Sequence, residues 1–591
     1  MTSVSRRRPA QRHWLRSLVA SSLLASGCQG CGSCFDFKGC DLNFNACASD
    51  AECGAGETCQ NGLFGTFCAA PDSSFGTGVS TGAGAAGPQF TTSSSSPGVQ
   101  LQIGPPDIAY ADRPPGVPIH VLRTAGYVGP VSITIDAPPM TVTTAPLVLG
   151  DATSQGGSEG TLMLAAVPGS VKGVVQVAVN ANAGMSVASV PLAVVIPGAP
   201  GSLDKSFAAS GYVRYPPDPM GSAKANAVAV ASGGNIFVAG DDGAVPAKRS
   251  TVLVYSPDGL VLGGTPLALP WPGADNSALS IAVDAPDGIL LAGFAPKAGA
   301  PAGTLYRCVF TPNGSLDPTF GTGGDVQYVP FGHASATYRA IVALANHDPV
   351  AVGDDTDASA NTEGVITRFL ANGAAPVDTL LPLAATHANG VFYDADGKHV
   401  VVIGDTNANG GGMYVTRFDP TAGTFGFATG TQPYALWAHA GSAFENGNAL
   451  APHLDGAGNE GYLAAGAWGG AAGPSSSAMS LVAFDGSGAL DSTFGGGTGF
   501  VTPLPSPSTA LGAVADSSNR TVVVGASGAP SNVAVLRVAA DGTTDSTAFD
   551  TSPFSGGSAN AVALDRYGRI IVVGYDTTLG VPHAFVARYW P

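Results

Sequence analysis

The chain has 591 residues, of which 82 are glycine and only 11% are charged. That length exceeds one ordinary hydrophobic core, so two or more domains are expected. The formal net charge of −17 makes a surface that repels phosphate, which argues against nucleic acid and against electrostatic docking on anionic lipid.

Residues 1–27 combine five arginines (Arg6, Arg7, Arg8, Arg12, Arg16), an apolar run over 18–24 and small residues before Cys28. This is the pattern of a secretory signal peptide, and the run is too short for a membrane span. Removing the segment takes five of the 25 basic residues and leaves 20 against 42 acidic ones. "LLASGC" is similar to the lipobox of bacterial lipoproteins, which implies a lipid on Cys28 and contact with the membrane through that lipid alone. The expected location is the outer membrane or cell surface, with secretion as the alternative.

Residues 28–69 hold eight of the nine cysteines. Dense cysteine in an exported segment reads as a disulfide framework, with Cys31, Cys34, Cys40, Cys47, Cys53, Cys59 and Cys68 as candidates. Parity leaves Cys28 open: with a lipid on it seven cysteines remain, and without one eight can form four bridges. "CASDAECGAGETCQNGLFGTFC" resembles the small Cys-rich modules of surface proteins in δ-proteobacteria of the myxobacterial type. "CQGCGSC" is not continued by the spacing or proline of an iron–sulfur run. Residues 70–97 are a Gly/Ser/Thr/Pro stretch and read as a flexible linker. Residues 98–198 carry seven short alternating runs, from "VQLQIG" to "SVPLAVVI", which predict a β-sandwich. They resemble bacterial immunoglobulin-like domains.

From 199 to 591 one unit recurs seven times. A short apolar strand and a turn lead into a stronger strand that ends in glycine, at Gly240, Gly293, Gly353, Gly404, Gly466, Gly525 and Gly574. A third strand follows each. Between units lies the phrase LD-x-[ST]-F, clear in "GSLDKSF" (201–207), "GSLDPTF" (314–320) and "GALDSTF" (488–494), and eroded in "TTDSTAFD" (543–550). Periods of this length with about four strands mark propeller blades. With the phrase, they resemble the delta-60 repeat family, which implies a β-propeller of an exported bacterial protein. The expected fold is all-β, with a seven-bladed propeller behind the sandwich. One phrase precedes the first unit and none follows the last. The strand after it, "GYVRY" (211–215), is therefore expected to pair with the last unit near 585–589 and to seal the ring, which removes open sheet edges.

Chemistry is sparse. Asp241–Asp242, Asp354–Asp355 and Asp405 follow the second strands and read as solvated turns. "DTNANG" offers Asp405, Asn407 and Asn409 as a calcium loop, the alternative to a chain without metal or cofactor. Arg368, Arg417, Arg537 and Arg588 recur in third strands, which points to ion pairs with nearby carboxylates. The histidines are expected in loops. G-x-S-x-G falls only in Gly/Ser-rich stretches ("GVSTG" at 78–82, "GGSEG" at 156–160) and makes no nucleophile elbow, and no H-E-x-x-H or P-loop occurs. The expected function is a non-enzymatic, monomeric surface protein whose propeller face takes a protein or glycan. The alternative is an exported enzyme with its site at the propeller axis, acting on polysaccharide or a small molecule.

Overall fold

The computed structural model describes residues 58–62 and 65–69 and, with short interruptions such as 151–156, 217–221, 407–410 and 471–475, residues 92–591. The chain divides into units 1–87 and 88–591. The expected signal segment, the lipidation candidate Cys28, and Cys31, Cys34, Cys40, Cys47 and Cys53 lie outside the described residues, as do Asn407 and Asn409. In the first unit Thr58–Gly62 pairs antiparallel with Gly65–Ala69, and the register sets Cys59 opposite Cys68.

The second unit is all-β. Its first part has two larger sheets and a two-stranded one, Val142–Thr144 with Leu164–Ala166, about one core. One sheet orders Gly157–Leu162, Val117–Arg123, Val99–Ile103 and Thr92–Ser96. The other orders Ile108–Tyr110, Ser186–Ile196, Gly173–Ala183, Val131–Asp136 and Leu147–Leu149. Alternation drives this: Val99, Leu101 and Ile103 face Val177, Val179 and Val190 across a shared apolar layer. Thr92–Ser96 falls inside the expected linker, yet it pairs with Val99–Ile103. Backbone groups on an open strand edge accept a partner whatever its side chains, so composition hid this strand.

Seven antiparallel sheets follow among the described residues, each opened by the first strand of one repeat. Sheet I opens with Ala223–Val230, II with Ser277–Asp284, III with Ser335–Ala343, IV with Thr386–Tyr393, V with Phe444–Leu454, VI with Ser508–Ala515 and VII with Gly557–Leu564. The second strands are buried on both faces, and odd and even residues serve different neighbours. Phe237 and Ala239 of sheet I pack on sheet II, whereas Ile236 and Val238 pack on Ile571 and Val573 of sheet VII. Like clusters join II to III, III to IV, IV to V, V to VI and VI to VII. Tyr212–Tyr215, from ahead of the repeats, pairs antiparallel with His583–Tyr589 as the outer strand of sheet VII. Sheet VI has three strands and no fourth among the described residues; its phrase is the eroded one.

The seven glycines have one cause. Every first strand carries a β-bulge, as between Ala225 and Ala227 in sheet I or Ala559 and Ala561 in sheet VII, and the glycine lies opposite the residue before it. The bulge brings a carbonyl down onto the glycine. A Cβ on Gly404 would sit 1.6 Å from the His387 oxygen, and one on Gly574 2.0 Å from the Ser558 oxygen. No side chain fits there.

The phrase is equally structural. Its aspartate accepts two bonds from the Ser or Thr two residues on: Asp204 Oδ1 takes Ser206 N at 3.0 Å and Oγ at 2.7 Å, and Asp317 and Asp491 repeat this with Thr319 and Thr493. The second oxygen takes a cation from the sheet. Asp204 Oδ2 lies 2.8 Å from Arg588 and 3.1 Å from Arg569, all three buried, and Asp545 Oδ2 lies 2.7 Å from Arg537. Burial and the nearby Arg569 cation push Arg588 down to about 10. The phenylalanine is a wedge: Phe207, Phe320 and Phe494 are fully buried between sheets VII and I, II and III, and V and VI. The next backbone N–H latches to the following sheet's turn, Ala208 to Asp258 O, Gly321 to Asn372 O and Gly495 to Asp541 O, at 2.7–2.8 Å.

Gly574→Ala is expected to cost about 3 kcal/mol through overpacking against backbone. Gly233→Ala, where a Cβ meets nothing within 4 Å, should stay within about 0.5 kcal/mol. Urea denaturation of the two variants checks both.

Candidate functional site

The seven first strands neighbour one another in succession, and Ala223–Val230 also neighbours Gly557–Leu564. At the end where these strands begin, called here the upper face, the bulged residues and the second-strand carboxylates meet. The bulged asparagines reach the next sheet. Asn226 Nδ2 donates to Ala278 O at 2.9 Å, Asn389 to Gly447 O at 2.9 Å, Asn448 to Ala510 O at 2.8 Å and Asn560 to Ala225 O at 2.8 Å. The last of these links sheet VII to sheet I.

The aspartates read from sequence as solvated turns are instead on strands and mostly buried. Asp241 and Asp242 end Ile236–Asp242, Asp354 and Asp355 lie in Pro349–Thr356, and Asp405 lies in Val400–Thr406. Each bridges polar groups. Asp241 Oδ2 accepts from Ser277 Oγ of sheet II at 2.8 Å. Asp354 Oδ2 takes Arg339 Nε at 2.7 Å and Nη2 at 2.5 Å, while His387 Nδ1 of sheet IV lies 3.1 Å from its Oδ1. Asp405 Oδ2 accepts from Asn389 at 2.8 Å. Burial works against the Asp354 carboxylate, but His387 and Arg339 outweigh it and hold its pKa below the ordinary value. The same contact raises His387, and burial raises Asp405. Arg339, Asp354, His387, Asp405 and Asn389 thus form one network between sheets III and IV. Of the calcium candidates, Asp405 is committed to this network. Among the described residues no group of three or more His, Cys, Asp or Glu side chains could hold a metal ion.

The arginines read from sequence all meet carboxylates, at the opposite, lower face where first and second strands are joined by turns. Arg368 lies 2.6 Å from Asp348 and Arg417 2.6 Å from Asp394. Sequence reasoning missed Arg307, which lies 2.5 Å from Asp284, because "YRCVF" sets it beside the odd cysteine. The histidines are not confined to loops. His387, His453 and His583 lie in strands, and His453 is buried with Nε2 at 3.1 Å from Asp491.

A second upper-face feature went unseen. Glu445 is the second residue of the first strand of sheet V, Phe444–Leu454, and stands opposite Trp468. The His439 ring stacks on Trp468 with centroids 3.8 Å apart, and Trp437 and Phe500 present their edges to it. Glu445 Oε1 accepts from the His439 backbone N–H, whereas Oε2 makes no hydrogen bond among the described residues. Burial pushes this carboxyl up to about 7.

No family model matches the chain, and no curated protein matches it. Solved structures do. One is a protein of unknown function from Dyadobacter fermentans DSM 18053, at 13% identity and a TM-score of 0.38, covering 64% of this chain and 99% of that one. Another is the polysaccharide lyase Uly1, at 12% and 0.40, covering 62% and 90%. A third is the Hadza microbial sialidase Hz136, at 10% and 0.34, covering 71% and 96%. These likenesses are distant, and no residue role is taken from them.

The Glu445 carboxyl holds its proton in the folded chain while the unfolded chain releases it near the ordinary value of 4.5. The folded state therefore binds more protons between about pH 4.5 and 7, and stability falls as pH rises through that window, by up to about 3 kcal/mol. Glu445→Gln should remove this slope and be the more stable protein at pH 8, as read by thermal unfolding across pH 4–8.

Proposed function

We propose that this is an exported surface protein, anchored by a lipid on Cys28, that displays a seven-bladed β-propeller of delta-60 type for recognition of protein or glycan. Support for the ring comes from seven apolar contacts that include one between sheets VII and I, from the Asn560–Ala225 bond, and from the outer strand at Tyr212–Tyr215. Behind it, the sandwich and linker serve as spacers, and residues 28–69 as a disulfide module.

The observation that carries binding rather than catalysis is the commitment of the ionisable groups. Asp241, Asp354 and Asp405 of the upper face bridge neighbouring strands and sheets, and the carboxylates of the lower face neutralise arginines; Glu445 is the exception. A general base or nucleophile needs a group free to change partners during reaction. The enzyme reading keeps two points in its favour, the convergence of Arg339, Asp354, His387 and Asp405, and the Glu445 carboxyl with an oxygen unpaired among the described residues.

Two measurements test this. A glycan array and a pull-down with the full chain are expected to give saturable capture without turnover. A product that His387→Asn abolishes would establish the enzyme instead. Mass spectrometry of the exported protein should find a diacylated Cys28, and an unmodified Cys28 in the culture medium overturns the anchor.

A further inference from the structure

The lower face is not level. Counted from the bulge, the first strand of sheet V runs from Ala449 to Leu454, six residues, while those of its neighbours run from Gly390 to Tyr393 and from Gly512 to Ala515, four each. Two further residues in a strand raise the sheet V hairpin by about 6–7 Å. At the foot of this step is a cavity of about 420 Å³ lined by residues of sheets IV, V and VI, within the range of about 300–1,000 Å³ for small-molecule sites.

Its walls have a definite chemistry. The half-buried Phe392 ring, backed by the buried Tyr462 at 6.0 Å, and the exposed Pro452 give apolar faces. The carboxylates in the wall are already paired, Asp394 with Arg417 at 2.6 Å and Asp516 with Arg520 at 2.7 Å. Asp516 also accepts from Ser518 N and Arg520 N, and the buried Asp394 from Ala395 N and the Tyr462 hydroxyl, so neither calls for a cation, and the carboxylate open to ligand hydroxyls is that of the exposed Glu460. His453 in the lining is buried against Asp491, so the exposed Glu460 is the charge that the lining presents, and it repels acidic ligands. Exposed Ser517 and Ser518 bring hydroxyls to the rim. The site is also fixed in advance: the Asn519 side chain accepts from Leu454 N at 2.9 Å and donates to Leu454 O at 2.8 Å, tying the sheet VI turn to the raised hairpin.

We propose that this cleft binds a neutral hexose unit of a glycan, its C–H face on Phe392 and Pro452 and its hydroxyls on Glu460 and the serines. The proposal rests on the binding function above and assigns that function a place and a ligand class.

The test is calorimetric titration of the full chain with cellotetraose, laminaritetraose and mannotetraose, and with tetragalacturonic acid as the acidic probe. At least one neutral tetraose should bind and the acidic one should not. Ala395→Trp, at an exposed lining position, should fill the cleft and weaken binding at least tenfold. Pro452→Asp, also exposed, should do the same by removing an apolar face. Lys205→Ala, exposed and away from the cleft, should leave it unchanged. Neutral binding that survives both cleft variants, or a preference for the acidic probe, overturns the assignment. If no tetraose binds while the array or pull-down captures another ligand, the cleft assignment falls and the binding function stands. If nothing is captured by any route, both fall.

Discussion

A strand that is apolar on both faces needs a neighbour on both sides, and the rest of this structure follows from that. The second strand of each repeat is such a strand: Val400 and Val402 lie against sheet III while Val401 and Ile403 lie against sheet V. Each sheet therefore hands its neighbour the requirement it has just satisfied. Stacking can stop without exposing a face only if the last sheet meets the first, as Ile571 and Val573 do with Ile236 and Val238. The ring we propose is the shape that leaves no such face in water.

Polar groups sit at the two ends of this apolar stack, and most have one structural task. At the lower face the phrase aspartate divides its labour, one oxygen for its own turn and the other for a buried cation, as Asp204 does for Ser206 and Arg588. A buried guanidinium without that counter-charge would be costly. At the upper face the asparagines carry the bond from sheet to sheet. Two places escape this order. One is the Glu445 nest, where a carboxyl is buried among aromatic rings. The other is the step beside sheet V, where a longer hairpin opens space between neighbours.

Much of the architecture was legible because its signals are local and repeated. Seven glycines at like positions and a phrase set ahead of its repeats gave the sheet order and the strand at Tyr212–Tyr215. The reason for the glycines was not legible, since a bulge in one strand shows only when its register with the partner is known. The same gap hid the asparagines at 226, 389, 448 and 560, whose place at the bulge depends on that register. Asp354 and Asp405 were misread as solvated turns because Asp after a strand usually marks one. Here the strand runs on and buries them. The raised hairpin was invisible because two added residues fall within the variation in repeat length. Thr92–Ser96 escaped because serines carry no strand pattern, and Glu445 because its burial depends on His439 and Trp468 folding over it.

The sandwich touches the repeats where their first and last segments meet. The Tyr110 hydroxyl donates to Tyr567 O, and Gly198 lies so close to Trp590 that a Cβ would stand 2.4 Å from the indole. Tyr567 and Trp590 flank the two inner strands of sheet VII, and Gly198 leads into its outer one. A tug transmitted through the sandwich would therefore arrive at both sides of the seam together. The load would be shared between the strand that comes from ahead of the repeats and the strand that ends them, as in a rope clamped on both strands of its splice.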